Sequence, residues 1–270
     1  MKLLTLNVYD EDFIKSVHSQ TNNTGDDVLF VDWVPTDHKD FGIQIDMLSS
    51  LPNDVKLIVF DRNRYIDEDL INILVNRKSI LLEPVVFPRK HFMFMPYWIN
   101  FNTDMENQKV YNIGFIGNTI YPEAENRLLG LLKHFNIDIG VHTLEHLDDN
   151  KIKSFEGVFG VNSGDNVEWD KYSSTFIVDN EYNYEKGVMP DIRNNIKYRS
   201  LPILSHNHKW FHAMFGDFVA KDYKDLGWCA SVTVNHEGFL DDLCEHIKKV
   251  FPDMIIDNFV EKTIHLSKTC

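Results

Sequence analysis

Residues 111–127 contain the residue types and the spacing of an anion-binding turn. Their sequence, YNIGFIGNTIYPEAENR, is a short apolar run that ends in Gly117 and Asn118, followed from Pro122 by a helical pattern. This pattern predicts a strand, a tight turn and a helix. Free N–H groups at the start of a helix, together with the helix dipole, favour a bound phosphate, and Arg127 could contact a second phosphate oxygen. An ordinary βα turn without a ligand is the alternative interpretation.

Carboxylates follow two of the predicted parallel strands. Glu83 closes the strand at residues 79–82, and Asp61 closes the strand at residues 55–60. The carboxyl ends of parallel strands form the edge at which such sheets carry ligands. We therefore expect a general base there, with Glu83 as the first candidate, Asp61 as the second and Asp10 as the third. A loop glutamate without a catalytic role is the alternative.

Basic and imidazole side chains form two further groups. Seven residues between positions 60 and 91 could form a basic face, whose candidates for contact with an acceptor or with DNA are Arg62, Arg64, Arg89 and Lys90. A solvated surface is the alternative. His206, His208 and His212 have ligand-like spacing, but no carboxylate or cysteine completes the set, so metal binding, a loop role and plain packing stay open. No metal site is predicted.

Apolar strands alternate with helical stretches in both halves of the chain. Residues 85–108, rich in proline and aromatic residues, interrupt the alternation, which resumes at Val110. Strands that are apolar throughout are typical of parallel sheets covered on both faces. We therefore predict an α/β fold with two Rossmann-like doubly wound domains facing a cleft. The predicted parts are a domain at residues 1–105, a second at residues 106–250, and a C-terminal helix at residues 251–270 that packs back on the first domain.

The composition of the chain argues against several classes of binding partner. The formal charge of −14 on 270 residues argues against broad attraction to nucleic acid, although it leaves room for a local basic patch. Apolar runs are too short for a membrane span, the first residues turn acidic too soon for a secretory signal, and the three cysteines have no close spacing. We expect a cytoplasmic protein without a membrane partner or a disulfide framework.

Several motifs resemble the GT-B glycosyltransferases, which use nucleotide sugars. WINFN at 98–102, VYNIGFIGN at 110–118 and the following Arg127 helix resemble the start of the C-terminal domain in that class. Residues 175–207, TFIVDNEYNYEKGVMPDIRNNIKYRSLPILSHN, resemble its donor-binding section. Within the class, GFIGN, FIVDNEYNYEKG and LPIL are similar to the phage DNA glycosyltransferases, the DNA β-glucosyltransferases among them, which modify hydroxymethylated cytosine. A bacterial spore-coat family shares the C-terminal pattern.

The resemblance implies roles for individual residues. Gly117, Asn118, Arg127 and Arg193 would hold the diphosphate, and Tyr184 would stack on the base of the donor. Asn195 stands where the family usually has a glutamate that binds the donor ribose, so this chain lacks that charge. Glu83, with Asp61 in reserve, would be the general base. The loop that contains His206 would shape the donor pocket.

The implied reaction moves a sugar, glucose or arabinose, from a UDP-sugar co-substrate to 5-hydroxymethylcytosine in phage DNA, which would require base flipping. The UDP-sugar binds as a co-substrate, with no tightly bound cofactor, and the reaction is compatible with a divalent metal but does not require one. Two alternatives stay open: a glycosyltransferase acting on a cell-wall or small-molecule acceptor, and a non-catalytic protein that binds a nucleotide sugar.

Overall fold

The computed structural model describes residues 2–21, 27–62, 64–101, 111–116, 159–162, 169–177, 187–189, 191–204 and 236–269. The chain divides into two compact units. The first unit consists of Met1–Ile99, Lys186–Met189 and Phe251–Cys270, and the second consists of Asn100–Glu185 and Pro190–Val250. The domain boundaries expected from the sequence stay a prediction.

The first unit is built around a parallel sheet of five strands. The strands lie side by side in chain order: β1 (Lys2–Leu6), β2 (Asp27–Asp32), β3 (Lys56–Phe60), β4 (Ile80–Glu83) and β5 (Phe92–Phe94). The predicted parallel α/β sheet is thus confirmed. Strand β5 was not predicted, because it has only three residues and lies between Pro88 and Pro96, which interrupt a strand pattern.

Four helices of the described ranges cover this sheet: α1 (Glu11–Gln20), α2 (Phe41–Ser50), α3 (Glu68–Asn76) and the C-terminal α6 (Ile256–Thr269). Aspartates fix where two of them begin. Asp10 accepts hydrogen bonds from the N–H groups of Asp12 and Phe13 at the start of α1, and Asp67 accepts one from Leu70 at the start of α3. Each cap satisfies backbone donors that the helix itself leaves without partners.

One face of the sheet is covered by an aromatic cluster together with α1 and α6. Its members, all buried, are Phe13, Phe30, Phe60, Trp98 and Phe259. The ring centroids of Phe13 and Trp98 lie 4.7 Å apart, and those of Trp98 and Phe259 lie 5.2 Å apart. Aromatic pairs at these distances add to the free energy gained by burying their area. The cluster therefore ties the C-terminal helix to the sheet and to α1.

The opposite face packs against α2 and α3. Because neighbouring residues of a strand point to opposite faces, Leu29 and Val31 lie on this side while Phe30 lies on the aromatic side. Leu57 and Val59 of β3 and Leu74 of α3 belong to the same apolar cluster. The sheet is thus buried on both faces, which explains why residues 28–31 of β2 and residues 57–60 of β3 are all apolar.

Two distant segments of the chain complete the first unit. Val188 forms an antiparallel bridge with Val85, and the Met189 N–H donates to the carbonyl of Pro84 at 2.9 Å. Ile255, just before α6, forms a parallel bridge with Ile99. The chain therefore rejoins the first unit twice by backbone pairing. Val188 and Met189 pair with the segment that follows β4, and Ile255 pairs with Ile99, which follows Trp98.

The second unit contains a parallel sheet of four described strands. These are β6 (Tyr111–Ile116), β7 (Phe159–Asn162), β8 (Tyr172–Ile177) and β9 (Leu201–Leu204), in the order β7-β6-β8-β9. The described helices are α4 (Arg193–Lys197) and α5 (His236–Val250). The sequence pattern at residues 166–172 also predicts a helix, and this prediction is wrong in its described part: Trp169–Lys171 is a 3₁₀ turn, and β8 begins at Tyr172. Serines at the start of β8 had hidden its strand pattern. Strand β7 was not predicted either.

None of the helices in the described ranges combines the length and the apolar character that a membrane crossing needs.

Candidate functional site

Four acidic residues mark the carboxyl edge of the first sheet. Asp32 is the last residue of β2, Glu83 is the last residue of β4, and Asp61 follows β3 directly. Asp10 follows β1 at the start of α1. Successive parallel strands end at the same edge, so the four side chains form a row. Glu83, Asp61 and Asp10 were expected at this edge from the sequence. Asp32 was not, although an acid inside the apolar run VLFVDWV is a signal for it.

Glu83 is fully buried and accepts three hydrogen bonds. Its Oε1 accepts from the backbone N–H of Arg89 at 2.5 Å and from Arg64 Nη2 at 3.3 Å. Its Oε2 accepts from Arg89 Nε at 2.9 Å. Charge-assisted hydrogen bonds of this kind offset the cost of burying a carboxylate. Glu83 is therefore held as part of an ion-pair network.

Asp61 is also fully buried and shares Arg89 with Glu83. Its Oδ2 accepts from Arg89 Nη2 at 2.6 Å and from the N–H of Ile66 at 3.1 Å, and its Oδ1 accepts from the N–H of Tyr65 at 2.9 Å. The guanidinium of Arg89 thus bridges two buried carboxylates. Its remaining terminal nitrogen donates to the Ile66 carbonyl at 2.9 Å. The loop between β3 and α3 and the loop between β4 and β5 are thus joined at this one cation.

A second network occupies the β1 and β2 end of the row. Arg62 donates to both carboxylate oxygens of Asp32, with Nε at 2.6 Å from Oδ1. The same guanidinium lies over the ring of Trp98, 5.8 Å from its centroid. Trp98 Nε1 in turn donates to Asp10 Oδ2 at 2.9 Å. Asp10 therefore both caps α1 and orients the central ring of the aromatic cluster.

The residues predicted to face an acceptor or DNA divide into two groups. Arg62, Arg64 and Arg89 are only partly exposed, and each contacts at least one buried carboxylate. Lys90 is exposed. Their role in acceptor binding stays a prediction. In this structure the three guanidinium groups neutralise buried acids, which reduces the positive charge that the edge presents to solvent.

Exposed aromatic side chains lie along the same edge. Tyr9 after β1 and Phe87 after β4 are 67% and 71% exposed, and Tyr65 after β3 is also exposed. The hydroxyl of Tyr9 donates to Asp40, and this hydrogen bond is the main cause that raises the pKa of Tyr9 above its ordinary value. Large apolar side chains in solvent at a ligand-binding edge are suited to stacking on a flat ring.

The order of the described strands in the second unit reverses at the centre of its parallel sheet. Strand β6 comes first in the chain but lies between β7 and β8, and Ile116 pairs in register with Ile177. In open parallel sheets, ligands bind beyond the carboxyl ends of the strands where the order reverses in this way. The chain leaves β6 at Gly117 and β8 at residue 178, so both predicted donor loops start from this point.

Among the predicted donor residues, Arg193 and Asn195 lie in the described part of the chain. Arg193 opens α4 and donates to Asp191 through Nε at 2.9 Å and Nη2 at 2.6 Å. Asn195 is fully buried, and its Nδ2 donates to the carbonyl of Ser200 at 3.1 Å, which holds α4 beside β9. The other predicted residues lie outside the described ranges: Gly117, Asn118, Arg127, Tyr184, His206, His208 and His212.

The described residues offer neither a reactive thiol nor a metal centre. Burial raises the pKa of the Cys244 thiol on α5 to about 11, against the lowering influence of Lys248 and Arg199. The neighbouring carboxylate of Asp241 raises the pKa of Arg199. Within the described ranges, no three His, Cys, Asp or Glu side chains are grouped to hold a metal ion.

Comparisons with known proteins include a distant structural likeness. The chain matches no protein-family model and none of the curated proteins. It is similar to a solved chain described as "Crystal structure of GtfA/B complex", at 10% identity and a TM-score of 0.41. The likeness covers 96% of this chain and 59% of that one. At this TM-score the likeness carries no argument about activity, so the site rests on its own geometry.

Replacing Arg89 tests the bridge between the two buried acids. We expect Arg89→Met to lower the free energy of unfolding by about 3–5 kcal/mol, because it leaves two buried carboxylates without their shared cation. Urea denaturation followed by tryptophan fluorescence measures the change. Lys90→Met removes the adjacent, exposed cation and should change stability by less than about 0.5 kcal/mol. Equal effects of the two substitutions would contradict the bridging role.

Alkylation of Cys244 tests the effect of burial on its thiol. A pKa of about 11 instead of 9.0 makes the thiolate about a hundredfold scarcer at pH 8. We expect the iodoacetamide labelling rate of this cysteine, followed by peptide mass spectrometry, to keep rising with pH beyond 9. Because the pKa is raised in the folded state, the thiol's contribution to stability should be lost between pH 9.0 and about 11. A labelling rate that reached its plateau near pH 9 would refute the shift.

Proposed function

We propose that the chain is a GT-B type glycosyltransferase that uses a nucleotide sugar. The observation that carries the proposal is the strand order of the second unit, in which β6 lies between β7 and β8. This order creates one ligand-binding crevice, from which the loops beginning after Ile116 and after Ile177 both leave. GFIGN spans the end of β6 and the start of the first loop, and NEYNYEKG lies after Ile177; both segments resemble the donor site of that class.

The donor would be a UDP-sugar with its diphosphate at the start of the Gly117 loop. Backbone N–H groups near Gly117 and Asn118 would receive the phosphates, with Arg127 as a cation and Tyr184 stacked on the base. Arg193 would contribute from α4, where Asp191 fixes the direction of its guanidinium. A ribose contact by Asn195 would use Oδ1, because Nδ2 donates to Ser200. These contacts would stabilise the diphosphate as it leaves.

The acceptor would bind at the carboxyl edge of the first sheet. An acceptor hydroxyl attacks the anomeric carbon, the bond from that carbon to the diphosphate breaks, and a general base takes the hydroxyl proton. Glu83 is our candidate for that base, with Asp61 in reserve. Since Glu83 is fully buried in this structure, proton transfer would require Arg89 to turn away from its Oε2. Arg89 would then act as a gate that opens when the acceptor binds.

The family resemblance points to 5-hydroxymethylcytosine in DNA as the acceptor. Exposed Tyr9, Tyr65 and Phe87 support this, because a base flipped out of the duplex needs aromatic surfaces on which to stack. A small-molecule or cell-wall acceptor is the second candidate. It is favoured by the pairing of Arg62, Arg64 and Arg89 with buried acids, since a polyanionic duplex requires cations that are free to meet phosphates.

A transfer assay tests the activity and distinguishes the acceptors. We expect incubation with a panel of UDP-sugars and hydroxymethylcytosine DNA to yield a glycosylated nucleoside, detected by mass spectrometry after digestion. Cytosine DNA, which lacks the acceptor hydroxyl, is the matched control. UDP release only with added small hydroxylated acceptors would favour the second candidate. Binding of a UDP-sugar without hydrolysis or transfer to any acceptor would contradict an enzymatic function.

Two amide substitutions test the assignment of the base. We expect Glu83→Gln to lower the transfer rate at least about a hundredfold while UDP binding, measured by calorimetry, is unchanged, because the amide cannot accept the proton. Asp32→Asn is the matched control, since it also removes a buried carboxylate paired with an arginine. An unchanged rate in Glu83→Gln would remove the assignment. Equal losses in both variants would assign the effect to the ion pairs instead.

A further inference from the structure

An apolar groove lies on the face of the first unit that carries α2 and α3. Its walls are formed by Ile45 and Leu48 of α2 and by Leu70, Ile73 and Leu74 of α3, and Leu57 of β3 lies at its base. The cavity has a volume of about 460 Å³. This size is within the range of small-molecule sites. Ile73 is 62% exposed at its rim, so the groove presents apolar surface to solvent.

A cation closes the groove at the end where α3 finishes. Arg77 is its one charged lining residue, and the hydrogen bonds that its terminal nitrogens donate go to uncharged oxygens of Leu51, Pro52 and Asn53. Its Nε is buried and has no hydrogen-bond partner in the described part of the chain. No carboxylate of the described residues pairs with Arg77, and a buried donor without a partner costs free energy that a bound anion would offset.

The charge around Arg77 is opposite to that of the chain as a whole. A second cavity of about 190 Å³ adjoins the groove and shares Asn53, Leu57 and Arg77 with it. Its charged lining residues are Lys56, Lys78, Arg77 and Asp54, but the ammonium of Lys56 donates to the carbonyl of Ser267 on α6, which covers the other face of the sheet. Two cations, Arg77 and Lys78, against one acid therefore line the two cavities, in a protein whose formal charge is −14. This local excess of positive charge favours an anionic group at the end of an apolar channel.

We propose that this groove binds a small amphipathic carboxylate of the medium-chain fatty acid type. The carboxylate would accept hydrogen bonds from Arg77, its Nε included, where the two cavities meet, and the hydrocarbon chain would lie between α2 and α3. Arginine suits this role because its fork of donors matches the two carboxylate oxygens. The site lies at the amino ends of β3 and β4, opposite the row of acids, and does not depend on the proposed glycosyl transfer.

Three probes with the same hydrocarbon chain test the proposal: decanoate, 1-decanol and decyltrimethylammonium, each below its micelle concentration. We expect calorimetry to show decanoate binding to the full chain with one site, at least about tenfold more tightly than 1-decanol, the difference expected from one charge-assisted hydrogen bond. Decyltrimethylammonium should bind more weakly than either. Equal affinities for the three probes, or no binding of decanoate, would overturn the proposal.

Matched substitutions locate the site. We expect Arg77→Gln to weaken decanoate binding about tenfold and to leave 1-decanol binding unchanged, which also shows that the groove is intact. Ile73→Glu should abolish decanoate binding by placing a negative charge on the wall. Ile43→Glu is its control, because Ile43 is 57% exposed on α2 but does not line the groove. Equal losses in the Ile73 and Ile43 variants, or no effect of Arg77→Gln, would refute the site.

Discussion

The shared ion pair of Arg89 with Asp61 and Glu83 is the constraint on which the first unit depends. Both acids are fully buried, and each would carry a large desolvation cost without its cation. Asp61 also accepts from the backbone N–H groups of Tyr65 and Ile66, so it fixes the loop that leads from β3 to α3. Arg89 therefore sets the positions of the loops after β3 and β4 relative to each other.

This constraint links stability to the proposed chemistry. The carboxyl edge of a parallel sheet is where ligands bind, and here the same edge contains acids that must be paired because they are buried. In the proposed mechanism, an acceptor that displaced the guanidinium from Glu83 would release a buried base. The pairing would then keep Glu83 inactive until an acceptor binds, and the exposed rings of Tyr9 and Phe87 would contact that acceptor.

The pattern of hydrophobic residues predicted most of the described elements, because apolar runs and helix caps are local signals. The pattern predicts strands at residues 3–8, 28–34, 55–60 and 79–82 and helices at residues 10–18, 41–51 and 67–76, all within a few residues of the observed bounds of β1 to β4 and α1 to α3. Elements whose local sequence pattern is weak were not predicted from the sequence. Strand β5 is stabilised by its pairing with β4 and not by the pattern of its own sequence. Strand β8 begins with Tyr172 and serines, which are extended because they pair with β6. Asp32 was missed because its partner, Arg62, is distant in the sequence.

The sequence by itself determined the α/β class, the parallel sheets and the acids at the strand ends, because each follows from periodicity and from the residues next to it. The tertiary structure alone decided that Arg89 bridges Asp61 and Glu83, that β6 lies between β7 and β8, and that Arg77 closes an apolar groove. These features join residues on different elements, and strand order and ion pairing depend on distances in space that no local pattern records.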